Sequence, residues 1–171
     1  MEIMNNRLKS IAGITIVELM STVVVIGIIS AAAAPSFNRA VQRIKFRSET
    51  KNLVSTLRMA RSQAISEKAP YGIYYDATNR TVTTFKDLTN LANYTFESGS
   101  DSVIKVDQLP YDIAYLYASF PNSTVIYEPN GTASASGDIY LLTTDHGIVN
   151  TSQVNVLAST GRAKVAYIHN Y

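Results

Sequence analysis

Few residues in this 171-residue sequence stand in patterns that could do chemistry. The first is Glu18, the only charged residue between Ile14 and Ala34. A carboxylate inside an apolar run is costly in a bilayer, so it is read as functional until another reason is found. It can pair with a cation or set a register. The second set is Asp145, His146 and Ser152, the letters of a nucleophilic triad, but spacing alone does not make one. His146 and His169 lack a second ligand at metal spacing. The absence of cysteine excludes thiol catalysis, Cys-based zinc sites and disulfides. No G-x-S-x-G, P-loop or G-x-G-x-x-G run occurs. No catalytic set, metal or cofactor is therefore expected, and the protein is read as a non-enzyme.

The elements that must position Glu18 begin with residues 14–34, ITIVELMSTVVVIGIISAAAA. Twenty-one helical residues span about 31 Å, enough for a bilayer core. Pro35 follows. Residues 36–68 hold no Gly or Pro, and Phe46, Thr50, Leu53, Leu57, Ala60 and Ala64 recur at helical spacing. Phe37, Val41 and Ile44 lie on another face. The first part thus suits packing on other subunits and the second suits packing on its own sheet. Ala69-Pro70 ends the helix.

From Tyr71 the period shortens. Strands are expected near 71–75, 81–85, 93–97, 112–118, 123–128, 138–143, 153–159 and 163–168. Turn signals at 76–79, 98–102, 121–122, 129–131, 145–147 and 160–161 separate them. The fold class is α+β: a long N-terminal helix packed on a mostly antiparallel β-sheet head. Charge is uneven. Residues 35–68 carry Arg39, Arg43, Lys45, Arg47, Lys51, Arg58, Arg61 and Lys68 against Glu49 and Glu67, whereas the head has nine acids and five basic residues. The basic stem reads as a solvated helix face, or, for its membrane-proximal members, as attraction to anionic headgroups. N-x-[ST] triplets at Asn79, Asn93, Asn122, Asn130 and Asn150 are expected by chance in an Asn/Ser/Thr-rich head.

Three readings of the N-terminus compete: a secretory signal cut near Ala32 to Ala34, a single-pass anchor, and a leader cut before the apolar run. Gly13, Ile14, Thr15, Ile16, Val17 and Glu18, after Arg7 and Lys9, resemble the type IV prepilin processing motif. Ile14 stands where that family most often has Phe. Pro35, twenty-two positions after Gly13, stands where many type IV pilins carry a helix-bending proline. The resemblance implies cleavage after Gly13 by a prepilin peptidase and N-methylation of Ile14. It implies assembly register set by Glu18, through the amine that the cut creates on this chain or the next.

The head and stem sharpen the resemblance. LVSTLRMARSQAI (53–65), TVIYEPNG (124–131), DIYLL (138–142) and QVNVLASTGR (153–162) resemble the GspH/FimT family of minor pseudopilins and minor pilins. This implies a cytoplasmic leader over 1–13, a transmembrane and filament-core helix over 14–34, an amphipathic stem over 35–69 and a periplasmic head over 70–171. The implied role is a structural and assembly subunit of a type II secretion pseudopilus or a type IV pilus. The implied partners are prepilin peptidase, other pilins or pseudopilins in a helical filament, and an inner-membrane assembly platform. A second reading, also from the resemblance, is a DNA-uptake minor pilin contacting DNA through Arg162 and Lys164. Two charges alone give little affinity, because electrostatic binding scales with the phosphates neutralised.

Overall fold

The period read from Phe46 to Ala64 is the stripe that organises the head. In a computed structural model that describes residues 13–89, 92–110, 113, 115–145 and 148–169, helix α1 (Ile16–Glu67) buries Phe46, Thr50, Leu53, Val54, Leu57, Ala60 and Ala64. The side chains of Tyr115, Thr144, Asp145, Ile148, Val149 and His169 lie outside that description. Two units are distinguished, residues 1–41 and 42–171. In the first, the helix runs through Pro35 as helical backbone, and all its described residues before Val41 are exposed. An 18-residue window of α1 has mean hydropathy 2.2, long and apolar enough to cross a membrane. Phe37 and Ile44 are exposed, so the early apolar set does not join the buried stripe.

In the second unit the stripe faces two four-stranded antiparallel sheets. The first has the order β3-β2-β1-β5, built from β1 (Tyr71–Asp76), β2 (Thr81–Lys86), β3 (Ser102–Gln108) and β5 (Thr124–Tyr127). The second has the order β4-β6-β7-β8, built from β4 (Tyr115–Ala118), β6 (Gly137–Asp145), β7 (Ile148–Leu157) and β8 (Arg162–His169). Leu57, Ala60 and Ala64 meet Ile73, Val125, Tyr127, Ile139, Leu141, Val154 and Val156 in one core. The alternation in QVNVL holds: Val154 and Val156 are buried and Asn155 is exposed. Alanines at 60 and 64, both fully buried, let the helix backbone approach the sheets. Thr50 is the polar exception in the stripe. Its hydroxyl lies 3.1 Å from the Phe46 carbonyl and 2.9 Å from Ser152 Oγ on β7, so this buried pair is satisfied across the helix–sheet boundary.

The helix ends at Glu67, two residues before the expected Ala69-Pro70 stop, with Lys68 at φ 52. Glu67 pairs with Lys86 at 2.8 Å. Its carboxyl is held below the ordinary value first by that bond and then by one from the Tyr71 hydroxyl. The Tyr71 hydroxyl is in turn pushed up to about 12, by burial and by this carboxylate. One helix end is thereby tied to β1 and β2.

Two expectations for the first sheet need correction. Residues 93–97 form no strand, and 102–108, assigned only a turn at its start, forms β3. Tyr94 sits at φ 49, which no strand accommodates, and Phe96 instead packs on Tyr74 and Phe85 at ring distances of 5.2 and 4.9 Å. The aromatic alternation there belongs to a loop covering the outer face of the sheet. β3 is an edge strand exposed along nearly its whole length, and a register shift opposite Thr84/Phe85 breaks its apolar alternation. The strand read over 112–118 is observed from Tyr115, with 111–112 and 114 outside the described residues.

Candidate functional site

The N-terminal candidates sit where a helix begins. Gly13 and Ile14 precede α1 in non-helical backbone, Ile14 is 76% exposed, and a Cβ on Gly13 would meet no atom within 4 Å. Thr15 caps the helix: its Oγ1 accepts the Glu18 N–H at 3.2 Å and its carbonyl accepts the Leu19 N–H at 3.1 Å. Thr15-Ile16-Val17-Glu18 therefore has capping-box spacing, with Glu18 in the first turn where the helix dipole favours a carboxylate. Ser21 and Thr22 return their hydroxyls to the Glu18 and Leu19 carbonyls at 2.9 and 2.8 Å. These polar residues of the apolar run thus have partners inside the helix. At Pro35 the missing N–H leaves the Ala31 carbonyl without its helical donor. Residues 1–12, with Arg7 and Lys9, lie outside the described residues.

In the head, three stretches far apart in sequence meet at Arg61. Its Nε donates to the Gly131 carbonyl at 2.8 Å. Gly131 is at φ +84 and Gly161 at φ +60, both in the region that favours glycine. A Cβ on Gly161 would collide with the Gly131 carbonyl oxygen and lie 2.9 Å from Arg61 Nε. The backbone closes the same junction, with Gly161 N–H to Leu157 O and Ala133 N–H to Ala158 O, both 2.8 Å. Arg61 was grouped with the solvated basic face. Instead it is half-buried and clamps the stem to two turns, near the buried Tyr127. Burial raises the Tyr127 hydroxyl well above its ordinary value, and the charge of Arg61 partly opposes that shift.

The family described as type II transport protein GspH matches residues 49–161, about two thirds of the chain, and the match contains Arg61, Gly131 and Gly161. The chain belongs to the GspH family. A solved structure, the minor pseudopilin EpsH from the type 2 secretion system of Vibrio cholerae, shares the fold with a TM-score of 0.54 at 9% identity. That likeness covers 72% of this chain and 95% of that one. A comparison with curated protein sequences gives no significant match.

The other sequence candidates of this GspH-family chain fall elsewhere. Arg162 and Lys164 are exposed on β8 opposite Leu157 and Asn155, beyond the matched segment. They share one sheet face, where Asn155 Nδ2 donates to Asp138 Oδ1 at 2.9 Å, so a carboxylate stands beside the basic pair. Ser152 is fully buried on Thr50, which removes it as a surface nucleophile. His146 and the side chains of Asp145 and His169 lie outside the described residues. Among the described residues, no group of three His, Cys, Asp or Glu could hold a metal. Of the stem cations, Arg39, Arg43, Lys45, Lys51 and Arg58 are exposed, and Arg47 lies over the Tyr167 ring at 5.6 Å.

Sequence reasoning missed one group entirely. Asp87, at the end of β2, is 3% exposed, and its Oδ1 has no hydrogen-bond partner. Burial first, and then the charge of Asp101, raises its carboxyl to about 6. The only signal in the letters is three acids, Asp87, Glu97 and Asp101, between Lys86 and Lys105.

Proposed function

We propose that this chain is a minor pseudopilin, a structural subunit that joins other pseudopilins in a type II secretion pseudopilus. The observation carrying this reading is GspH-family membership over residues 49–161, on a chain whose helix opens with an apolar, bilayer-length segment. The likeness to EpsH, described as a minor pseudopilin, supports it.

On this reading the protein waits in the inner membrane as a single-pass subunit, with its N-terminus in the cytoplasm and its head in the periplasm. Prepilin peptidase cuts after Gly13, where the backbone is non-helical and exposed, and the new amine of Ile14 is methylated. The amine then lies one helical turn from Glu18. Within a filament core that carboxylate pairs with an amine. An unpaired charge in such a core costs several kcal/mol, so wrong registers are penalised. Pro35 lacks the N–H of a regular helical residue and is the proposed point of a local kink in the helix. The assembly platform draws the subunit upward, and the head presents surface rather than chemistry.

Deleting the gene in its host and complementing it tests the role. Secretion of exoproteins should fail on deletion, and the tagged protein should co-purify with other pseudopilins. Unchanged secretion, together with a salt-dependent shift of DNA that Arg162→Ala abolishes, would move the assignment to DNA uptake.

A further inference from the structure

The acid group around Asp87 has a geometry that its burial does not explain. Asp101 Oδ1 accepts the Leu88 N–H at 3.2 Å and the Thr89 hydroxyl at 3.4 Å, and its Oδ2 accepts the Glu97 N–H at 2.8 Å. Glu97 Oε2 also takes the Thr89 hydroxyl, at 3.3 Å. These bonds tie segment 94–101 to the end of β2. The segment carries Phe96, which covers Tyr74 and Phe85 on the outer face of the first sheet. Beneath the tie sits Asp87, buried, with Oδ1 unpartnered.

The charges acting on Asp87 are all negative, Asp101 and Glu97 from the segment and Glu128 after β5, and a bond from the Thr89 N–H opposes them only in part. The adjacent cation, Lys86, is engaged with Glu67 on the helix. A buried charge without a counter-ion is expensive, and such a group neutralises instead. The described carboxylates do not converge as metal ligands, so a proton is the neutraliser that the site can take.

We propose that Asp87 is a proton-operated latch: protonated, it lets segment 94–101 close over Tyr74 and Phe85, and ionised, it releases that segment and opens an aromatic surface on the first sheet. The titration behaviour agrees in sign. A carboxyl raised to about 6 holds its proton in the closed form at mildly acid pH and loses it above neutrality. Release uncovers Phe85, which is fully buried in the closed form, while the stripe of α1 keeps its packing on Ile73, Val125 and Tyr127. The latch stands whether or not the chain assembles into a pseudopilus, since it needs only the head.

Amide hydrogen exchange of the full chain in detergent micelles tests it, with rates corrected for the intrinsic effect of pH. Protection of segment 94–101 should fall about tenfold or more between pH 5 and pH 8, while β6 and β7 keep theirs. Asp87→Asn should hold the segment protected at both values, and Asp101→Asn should leave it open at both. Equal wild-type protection at the two values would overturn the latch. So would a loss shared by β6 and β7, or a pH dependence that survives Asp87→Asn.

Discussion

Glu18 is four residues from Ile14, its N–H is bonded by the Thr15 cap, and its carboxylate stands in the first turn of the helix, so a capping role and the proposed assembly role meet at one residue. As a first-turn residue it favours starting the helix just beyond the proposed cut. On the proposed reading its charge pairs with the amine that cleavage of the leader creates. The two separate experimentally. Glu18→Gln keeps capping ability and loses the charge, so it should be processed normally yet enter filaments poorly, as read by shearing and immunoblotting. Normal incorporation would leave Glu18 with the cap alone. In the head, Gly161 carries the comparable burden. Gly161→Ala forces a side chain into the left-handed region and against the Gly131 carbonyl, which should cost about 2 kcal/mol or more. Equilibrium denaturation checks this. Arg61→Lys, which keeps the charge but loses the Nε bond, should cost less, about 1 kcal/mol.

At the scale of elements, the helix was legible because its pattern is strong: Phe46 to Ala64 repeat at helical spacing, and each is buried. The same legibility gives an expected outcome. Leu57, fully buried at the centre of the stripe, should cost about 2–5 kcal/mol on truncation to Ala, measured by denaturant midpoint. β3 was not legible, because the signal for a strand is a buried face and this strand has almost none. Tyr94 and Phe96 misled for another reason: the alternating pair belongs to a loop, in which Tyr94 is exposed and Phe96 packs on Tyr74 and Phe85. The quoted motifs were legible as a family mark, but their reason was not. Nothing in the letters says that Arg61, the second arginine of LVSTLRMARSQAI, reaches the glycine of TVIYEPNG, seventy positions further along the chain. Asp87 stayed invisible because a lone Asp after a strand reads as a turn residue, and only burial makes it unusual.

At the scale of the whole molecule, a GspH-type head and an apolar segment long enough to span a bilayer share one helix, α1. A secretory signal loses such a segment after export, whereas a prepilin-type subunit keeps it. A secretory signal and a prepilin leader therefore differ in one consequence: which side of residues 14–34 is cut. The most direct measurement is the intact mass of the protein extracted from membranes. The expected species begins at Ile14 and carries one methyl group on its amine or none. A species beginning near Pro35 would contradict it, because both the filament core and Glu18 would then have been discarded.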